Sequence, residues 1–343
     1  MQKILVIQTA FIGDVVLSTA LLESLHQQYP LAAIDLLVRQ GNESLFIKHP
    51  FIHEVIVWNK KKKKYIHWLN VLFAIRKTKY DAVVNVQRFA ATGLWTALSK
   101  AKFKIGFDKN PFSFLFTHAI KHLEIQEGMH EIDRNHQLIQ VLGKISLIQP
   151  KLYPALEDVE KVKKYQGQPY ICIAPASVWY TKQYPITDWV AFLQAIPFDG
   201  PIYILGGAGD KIIGEKIINA LGANTQLINL AGELGFLASA ALQQKAVLNY
   251  VNDSAPMHFA SAVNAPVVAI YCSTIPAFGY GPLSDQRFVV QTEENLACRP
   301  CGIHGKKTCP LDHFNCAHSI QIQQLTAPLL QVLQHYYFCG HAN

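Results

Sequence analysis

Two series of short apolar runs alternate with helical patterns along this chain, and that double alternation constrains the fold more than any other feature. In the first half the runs fall at residues 3–7, 34–38, 55–58, 82–86 and 104–107; in the second they fall at 170–174, 202–205, 227–230, 246–251 and 267–271. A run that is apolar on successive positions has both faces buried, as in parallel sheets covered by helices. Strands alternating with helices give an α/β, doubly wound architecture. The stretch 149–169, with Pro150, Pro154 and Gly167, breaks the rhythm and reads as a linker. At 343 residues the chain exceeds what one hydrophobic core usually serves. The expected organisation is two domains, residues 1–155 and 165–320, which in tandem form a cleft. A terminal segment, 320–343, carries a helical pattern over 320–337, long enough to pack back across both.

Composition narrows the functional classes. Apolar residues make up 50% and charged residues 16%, which argues for a globular enzyme and against long disorder. No segment approaches the roughly 18 uninterrupted apolar residues of a membrane span. The first residues do not read as a signal peptide, because Asp14 interrupts the apolar stretch and Lys3 is the one side-chain cation before it. A cytoplasmic protein is expected. The net charge of +7 is unevenly placed: residues 60–64 are five consecutive lysines, followed by Tyr65, Trp68 and Phe73. Such a run is either a solvated loop or a contact with an anionic membrane surface. One local cluster with no accompanying recognition motif argues against nucleic acid as a partner.

Chemistry concentrates after particular strands. The first strand leads through a small-residue loop to Gly13-Asp14 and a helical pattern, so an acid sits at the carboxyl end of a strand, where open α/β sheets bind ligands. Asp14 is either a helix cap or a reacting carboxylate. After residues 170–174 comes a loop with Ser177, Thr181 and Lys182, whose hydroxyl and ammonium donors suit a phosphate leaving group. Gly206-Gly207 follows the next strand and permits close backbone approach, but it matches neither the dinucleotide fingerprint nor the phosphate loop. Asn252-Asp253-Ser254-Ala255-Pro256-Met257-His258 follows the strand ending near residue 251. Asp and Ser before a proline start a helix, whose first amides can hold a diphosphate.

These segments together resemble glycosyltransferase family 9, the lipopolysaccharide ADP-heptose heptosyltransferases, with likeness to the heptosyltransferase II type. The resemblance runs from residue 1 to about residue 330 and includes Leu230-Ala231-Gly232. It implies a GT-B arrangement of two Rossmann-like domains facing across a cleft. The acceptor would be bound mainly by the first domain and ADP-heptose mainly by the second. Carried over by position, Asp14 corresponds to the general base and Lys182 to the lysine on the donor phosphates. Gly13, Ser177, Thr181, Gly206, Gly207, Asp253, Ser254, Ala255, Met257 and His258 fall in substrate-binding segments. Ala255 stands where many relatives have glycine, and Tyr184 where many have tryptophan. The expected reaction is inverting transfer of heptose to a lipid A or core oligosaccharide acceptor. No cofactor and no metal would be required, and the protein would work as a monomer at the inner face of the cytoplasmic membrane. A nucleotide-sugar epimerase or hydrolase on the same fold, or a non-catalytic nucleotide-sugar or metal-binding module, is the competing reading.

Cys298, Cys301, Cys309 and Cys316 place four of the seven cysteines within 19 residues, interleaved with His304, His313 and His318. In a reducing compartment such density suggests zinc more than disulfides. The outer spacings are irregular for a zinc finger, so structural zinc, a redox role and plain reduced packing all stay open, with zinc not favoured. Cys172 and Cys272 lie in strand-like runs and are expected in the core.

Overall fold

The structure, a computed structural model, describes residues 1–61, 64–123, 128–222 and 226–339, with side chains up to residue 334. Lys62 and Lys63 of the lysine run, residues 340–343 of the terminal segment and the side chains of Tyr337 and Cys339 lie outside this description. The chain divides into two compact units, Met1–Tyr153 and Pro154–Asn343.

The first unit runs β1 (Lys3–Ile7), α1 (Ile12–Gln28), β2 (Ala33–Arg39), β3 (Ile52–Trp58), α2 (Lys64–Lys77), β4 (Ala82–Asn85), α3 (Ala90–Leu98), β5 (Phe103–Phe107), β6 (His118–Ile120) and α4 (Glu131–His136). Its sheet has the order β3-β2-β1-β4-β5-β6, with every pair parallel. Leu5, Ile7, Leu37 and Val83 build one face of the core. The inner side of α2 closes it, with Val71, Leu72 and Ile75 buried. Three tryptophans lock that corner. Trp68 stacks on Trp95 at 5.8 Å, Trp58 meets Trp95 edge-on at 4.8 Å, and the Trp68 and Trp95 ring N–H groups donate to Ala91 O and Trp68 O.

The second unit runs α5 (Leu156–Lys163), β7 (Ile171–Ala174), α6 (Ile186–Ala195), β8 (Ile202–Ile204), α7 (Lys211–Leu221), β9 (Leu227–Asn229), α8 (Phe236–Lys245), β10 (Leu248–Asn252), α9 (Ala255–Ala262), β11 (Val267–Tyr271), β12 (Arg287–Gln291), α10 (Asn315–His318) and α11 (Ile322–Cys339). Its order is β12-β11-β10-β7-β8-β9, again all parallel. Counted within each unit, both sheets have the strand order 3-2-1-4-5-6, the doubly wound order in which ligands bind where the winding reverses. That reversal lies between β1 and β4 in the first unit and between β7 and β10 in the second. Leu325, Leu329 and Val332 of α11 belong to the second core, and Tyr250 donates to Leu325 O at 2.8 Å.

Three details differ from the sequence expectation. The stretch 149–169 contains a helix, α5, which shows weakly in the sequence because Val162 is its one buried residue. The edge strands β6 and β12 are additional; each is partly solvent-facing and lacks a fully apolar run. The terminal helix starts at Ile322, two residues later than expected.

Candidate functional site

In the first unit, β1 ends at Ile7 and the chain turns through residues 8–11 before α1 begins. Polar groups fix that turn: Gln87 donates to Gln8 Oε1 at 2.5 Å, the Ala10 amide donates to the same oxygen at 3.2 Å, and Asn42 donates to Ala10 O at 3.1 Å. Asp14, half-buried, lies in the first turn of α1, just after half-buried Gly13. The residue at the cap is Phe11, whose side chain makes no capping bond. Asp14 is therefore a first-turn acid beside the positive end of the helix rather than its cap.

Cations gather at the same strand ends: Lys60 from the lysine run, and Arg39 and Arg88 from positions the sequence reading did not single out. Arg39 ends β2, and its guanidinium, lowered by burial, is partly restored by the nearby Asp14 charge. Lys60, two residues past β3, donates to Thr9 O at 2.9 Å and lies over the Trp58 ring. Burial lowers its pKa, as do Arg39 and Lys64. On the other side, Glu131 is raised by burial, with Arg134 opposing and Asp14 adding to the rise. Arg134 pairs with Glu131 and donates to Leu123 O. Arg88, three residues past β4, also acts on Glu131. Arg39, Lys60 and Arg88 each follow a different strand, so no local pattern joins them.

In the second unit the two loops flanking the strand-order reversal meet. Lys182 Nζ lies 2.6 Å from Asp253 Oδ2, and both side chains are largely buried, at 15% and 8% exposure. Thr274, after β11, donates to the same carboxylate oxygen at 2.6 Å. Asn252 holds the lysine loop from below: its amide donates to Pro175 O at 2.7 Å and accepts from the Tyr184 amide at 3.1 Å. Asp253 is thus engaged with Lys182 and Thr274. Ser254, at the cap of α9, makes no side-chain capping bond and instead donates to Asn252 O at 3.3 Å. Ala255 opens α9, Met257 accepts from the Tyr271 hydroxyl at 3.3 Å, and His258 is buried in the first turn.

Ser177 sits half-buried in the lysine loop, with its carbonyl taking a bond from Gln183 at 2.6 Å. Thr181 is buried and ties the loop to a distant segment. Its amide donates to Lys306 O at 3.1 Å, while its hydroxyl accepts from the Lys306 amide at 2.8 Å and from Ser273 at 2.9 Å. Gly206 and Gly207 follow β8, but the Gly207 amide is taken by the Asp210 carboxylate at 2.8 Å and Gly206 O accepts from Gly232 at 2.9 Å. This turn is closed by its own capping rather than left as an open amide cradle.

Lys306 belongs to the cysteine segment, whose position beside Lys182 is a second feature the sequence alone did not reveal. Cys298, Cys301, Cys309 and Cys316 line one cavity of about 460 Å³ together with Lys306 and His313. The cysteines among the described side chains are free thiols. Burial, then neighbouring thiols, push Cys316 up to about 12 and Cys301 upward. Among the described residues, the donors that gather within 4.8 Å of one another are those of Asp35, His53 and Glu54 rather than the cysteine quartet. Lys3 already sits 3.2 Å from Asp35, which leaves that acid little charge for a cation. Arg299 braces the segment from within, donating to Cys272 O at 2.7 Å, Thr274 O at 2.7 Å and Gln291 at 2.8 Å. Cys172 and Cys272 are buried in the core, as expected.

With this geometry in place, comparison with known proteins gives a consistent result. Residues 68–313 match the profile described as "Glycosyltransferase family 9 (heptosyltransferase)". The chain is 27% identical over 278 residues to the lipopolysaccharide heptosyltransferase 3 of Escherichia coli, spanning 77% of this chain and 82% of that one. Among solved structures, it is similar to E. coli ADP-heptose lps heptosyltransferase II, with a TM-score of 0.77, 21% identity and coverage of 98% and 100%. It is also similar to a family 9 glycosyltransferase from Veillonella parvula, with a TM-score of 0.81, 20% identity and coverage of 97% and 98%. These structures share its GT-B fold. With the profile spanning well over half its length, the chain belongs to glycosyltransferase family 9, the heptosyltransferases.

Proposed function

We propose that this protein transfers heptose from ADP-heptose to a lipid A or core oligosaccharide acceptor in lipopolysaccharide synthesis, with inversion at the anomeric carbon. The observation that carries this reading is the Lys182 ammonium, held where the second sheet reverses its winding, beside the N-terminus of α9. A diphosphate placed there meets a cation and the positive end of a helix together. The likeness to the E. coli lipopolysaccharide heptosyltransferase 3 and ADP-heptose lps heptosyltransferase II supports the sugar and the acceptor class.

In the proposed reaction the acceptor lies against the first unit. Asp14 takes the proton of its attacking hydroxyl as the oxygen bonds to the anomeric carbon. The bond from that carbon to the phosphate oxygen breaks on the opposite face, and its electron pair leaves with ADP. Lys182 and the positive end of α9 meet the charge, so the step asks for no divalent metal. Ser177, Thr181, Ser254, Ala255, Met257 and His258 shape the donor pocket, with Gly206 and Gly207 at its rim. Arg39, Lys60 and Arg88 suit an acceptor that carries acidic groups. Approach to a lipid-linked acceptor from the cytoplasmic side completes the reading, and no described helix is long and apolar enough to cross a membrane.

The test separates base from binding. Asp14→Asn is expected to lower turnover by about 100-fold or more, while ADP titrated in the presence of chelator binds as tightly as to the wild type. Lys182→Ala is expected to do the reverse, weakening ADP. Near-normal transfer by a folded Asp14→Asn protein would remove Asp14 as the base. Equal binding of ADP, UDP and GDP would remove the adenine preference.

A further inference from the structure

Helix α2 has two apolar faces, one buried and one exposed. The inner face, Val71, Leu72 and Ile75, is buried. On the outer face Tyr65, Leu69 and Phe73 follow one another at intervals of four residues, with Ile66 beside them. They are 80%, 45%, 66% and 55% exposed. Single exposed apolar residues are ordinary, but four in one stripe on one helix mark a surface that meets something apolar.

The charge around the stripe is as one-sided as the stripe is apolar. Residues 59–80 carry eight lysines and arginines and no acid, whereas the whole chain has a net charge of only +7, so the remainder is close to neutral. Lys61 and Lys64 stand exposed at the start of the helix and Lys77 at its end, where exposed Arg76 also donates to Leu98 O. Lys60 differs: its ammonium is drawn onto Thr9 O, so it belongs to the site at the strand ends rather than to this surface.

We infer that α2 is the membrane-docking element of this protein, lying flat on an anionic bilayer with Tyr65, Ile66, Leu69 and Phe73 in the headgroup boundary. Its 14 residues span about 21 Å, too short to cross and well suited to rest in the plane. Cations at both ends of the stripe meet acidic headgroups while the apolar row enters between them. An acidic protein or nucleic acid would satisfy the cations and leave Ile66 and Leu69 in water. The inference stands on the surface of α2 and does not depend on the roles of Asp14 or Lys182.

Flotation with phosphatidylcholine vesicles, with and without phosphatidylglycerol, tests it without any substrate. The wild type is expected to float with the mixed vesicles, to stay behind with phosphatidylcholine alone, and to be released by salt. Each lysine near an anionic surface is worth roughly fivefold in partitioning, so Lys61→Gln with Lys64→Gln should weaken binding by about 30-fold. Leu69→Ser with Phe73→Ser should weaken it by about tenfold or more. Both double variants should keep the wild-type circular dichroism and the wild-type rate on a soluble acceptor fragment. Equal binding to both vesicle types, or binding that neither double variant changes, overturns the inference. So does concentration-dependent self-association that Leu69→Ser with Phe73→Ser abolishes while vesicles are ignored; the stripe would then be a contact between copies of the chain.

Discussion

Gly305 is where the cysteine segment lies against Lys182, and replacing it by alanine tests whether that segment sets the lysine's position. Its φ is +74°, where an alanine costs about 1–2 kcal/mol. The added methyl would also stand 2.9 Å from Lys182 Cγ, 3.1 Å from Thr181 Oγ1 and 3.4 Å from Ser273 Oγ. The first approach is too close to persist, and Cγ lies near the backbone, so the whole lysine must swing. A swing that breaks the 2.6 Å contact with Asp253 forfeits a hydrogen bond between charged groups, worth about 1.5–3 kcal/mol. If the same ammonium meets the donor diphosphate, ADP affinity falls by roughly tenfold to 100-fold. Calorimetric titration of ADP into wild type, Gly305→Ala, Lys182→Ala and the double variant closes a cycle. The expected result is a penalty for Gly305→Ala that vanishes when Lys182 is already absent. A penalty that survives in full on the Lys182→Ala background refutes the reasoning, as does a destabilised Gly305→Ala protein that binds ADP normally.

Two further outcomes are expected. Asp253→Asn leaves Lys182 largely buried without its counter-charge and should lower unfolding free energy by about 3 kcal/mol in urea titrations; a loss under about 1 kcal/mol would show that solvent already screens the pair. His49 packs among Phe46, Phe51 and Tyr153, and burial, with the His26 charge, takes its pKa from 6.5 to about 4. The unfolded chain then binds a proton that the folded chain refuses, so the stability is full above pH 6.5 and is lost as pH falls toward 4. For a partly exposed ring this amounts to about 1–2 kcal/mol. His49→Phe should shrink the difference between urea midpoints at about pH 7 and about pH 5. An unchanged difference would place the acid sensitivity elsewhere.

The two-sheet architecture was legible because the central strands carry the signal that defines them: Ile4 to Ile7, Ile171 to Ala174 and Val267 to Tyr271 are apolar on both faces. His118 to Ile120 escaped notice because an edge strand of three residues, none of them buried, has no such signature. Asp14, Lys182 and Asp253 were each visible from their place after a strand. Their company was not. That Lys182 and Asp253 touch follows from β7 lying beside β10, a pairing fixed by the whole sheet rather than by either loop. Arg39, Lys60 and Arg88 gather at one sheet edge for the same reason. Ser254 looked like a capping residue, and sequence alone could not tell that its hydroxyl turns to Asn252 instead.

The bonds between Thr181 and Lys306 join positions 125 residues apart, and this gives the protein an order of maturation. A nascent chain emerges from its N-terminus, and its units fold as they are completed. Strands β7 to β11 can pair once residue 271 is available, and Asn252 and Asp253 then hold the loop bearing Lys182, yet its bonds to Lys306 wait until that residue arrives. A chain interrupted between those points would hold most of a second sheet with a lysine loop that lacks its bonds to Lys306. The last bonds on the loop proposed to meet the donor phosphates are therefore made late in synthesis, after most of the scaffold that carries it.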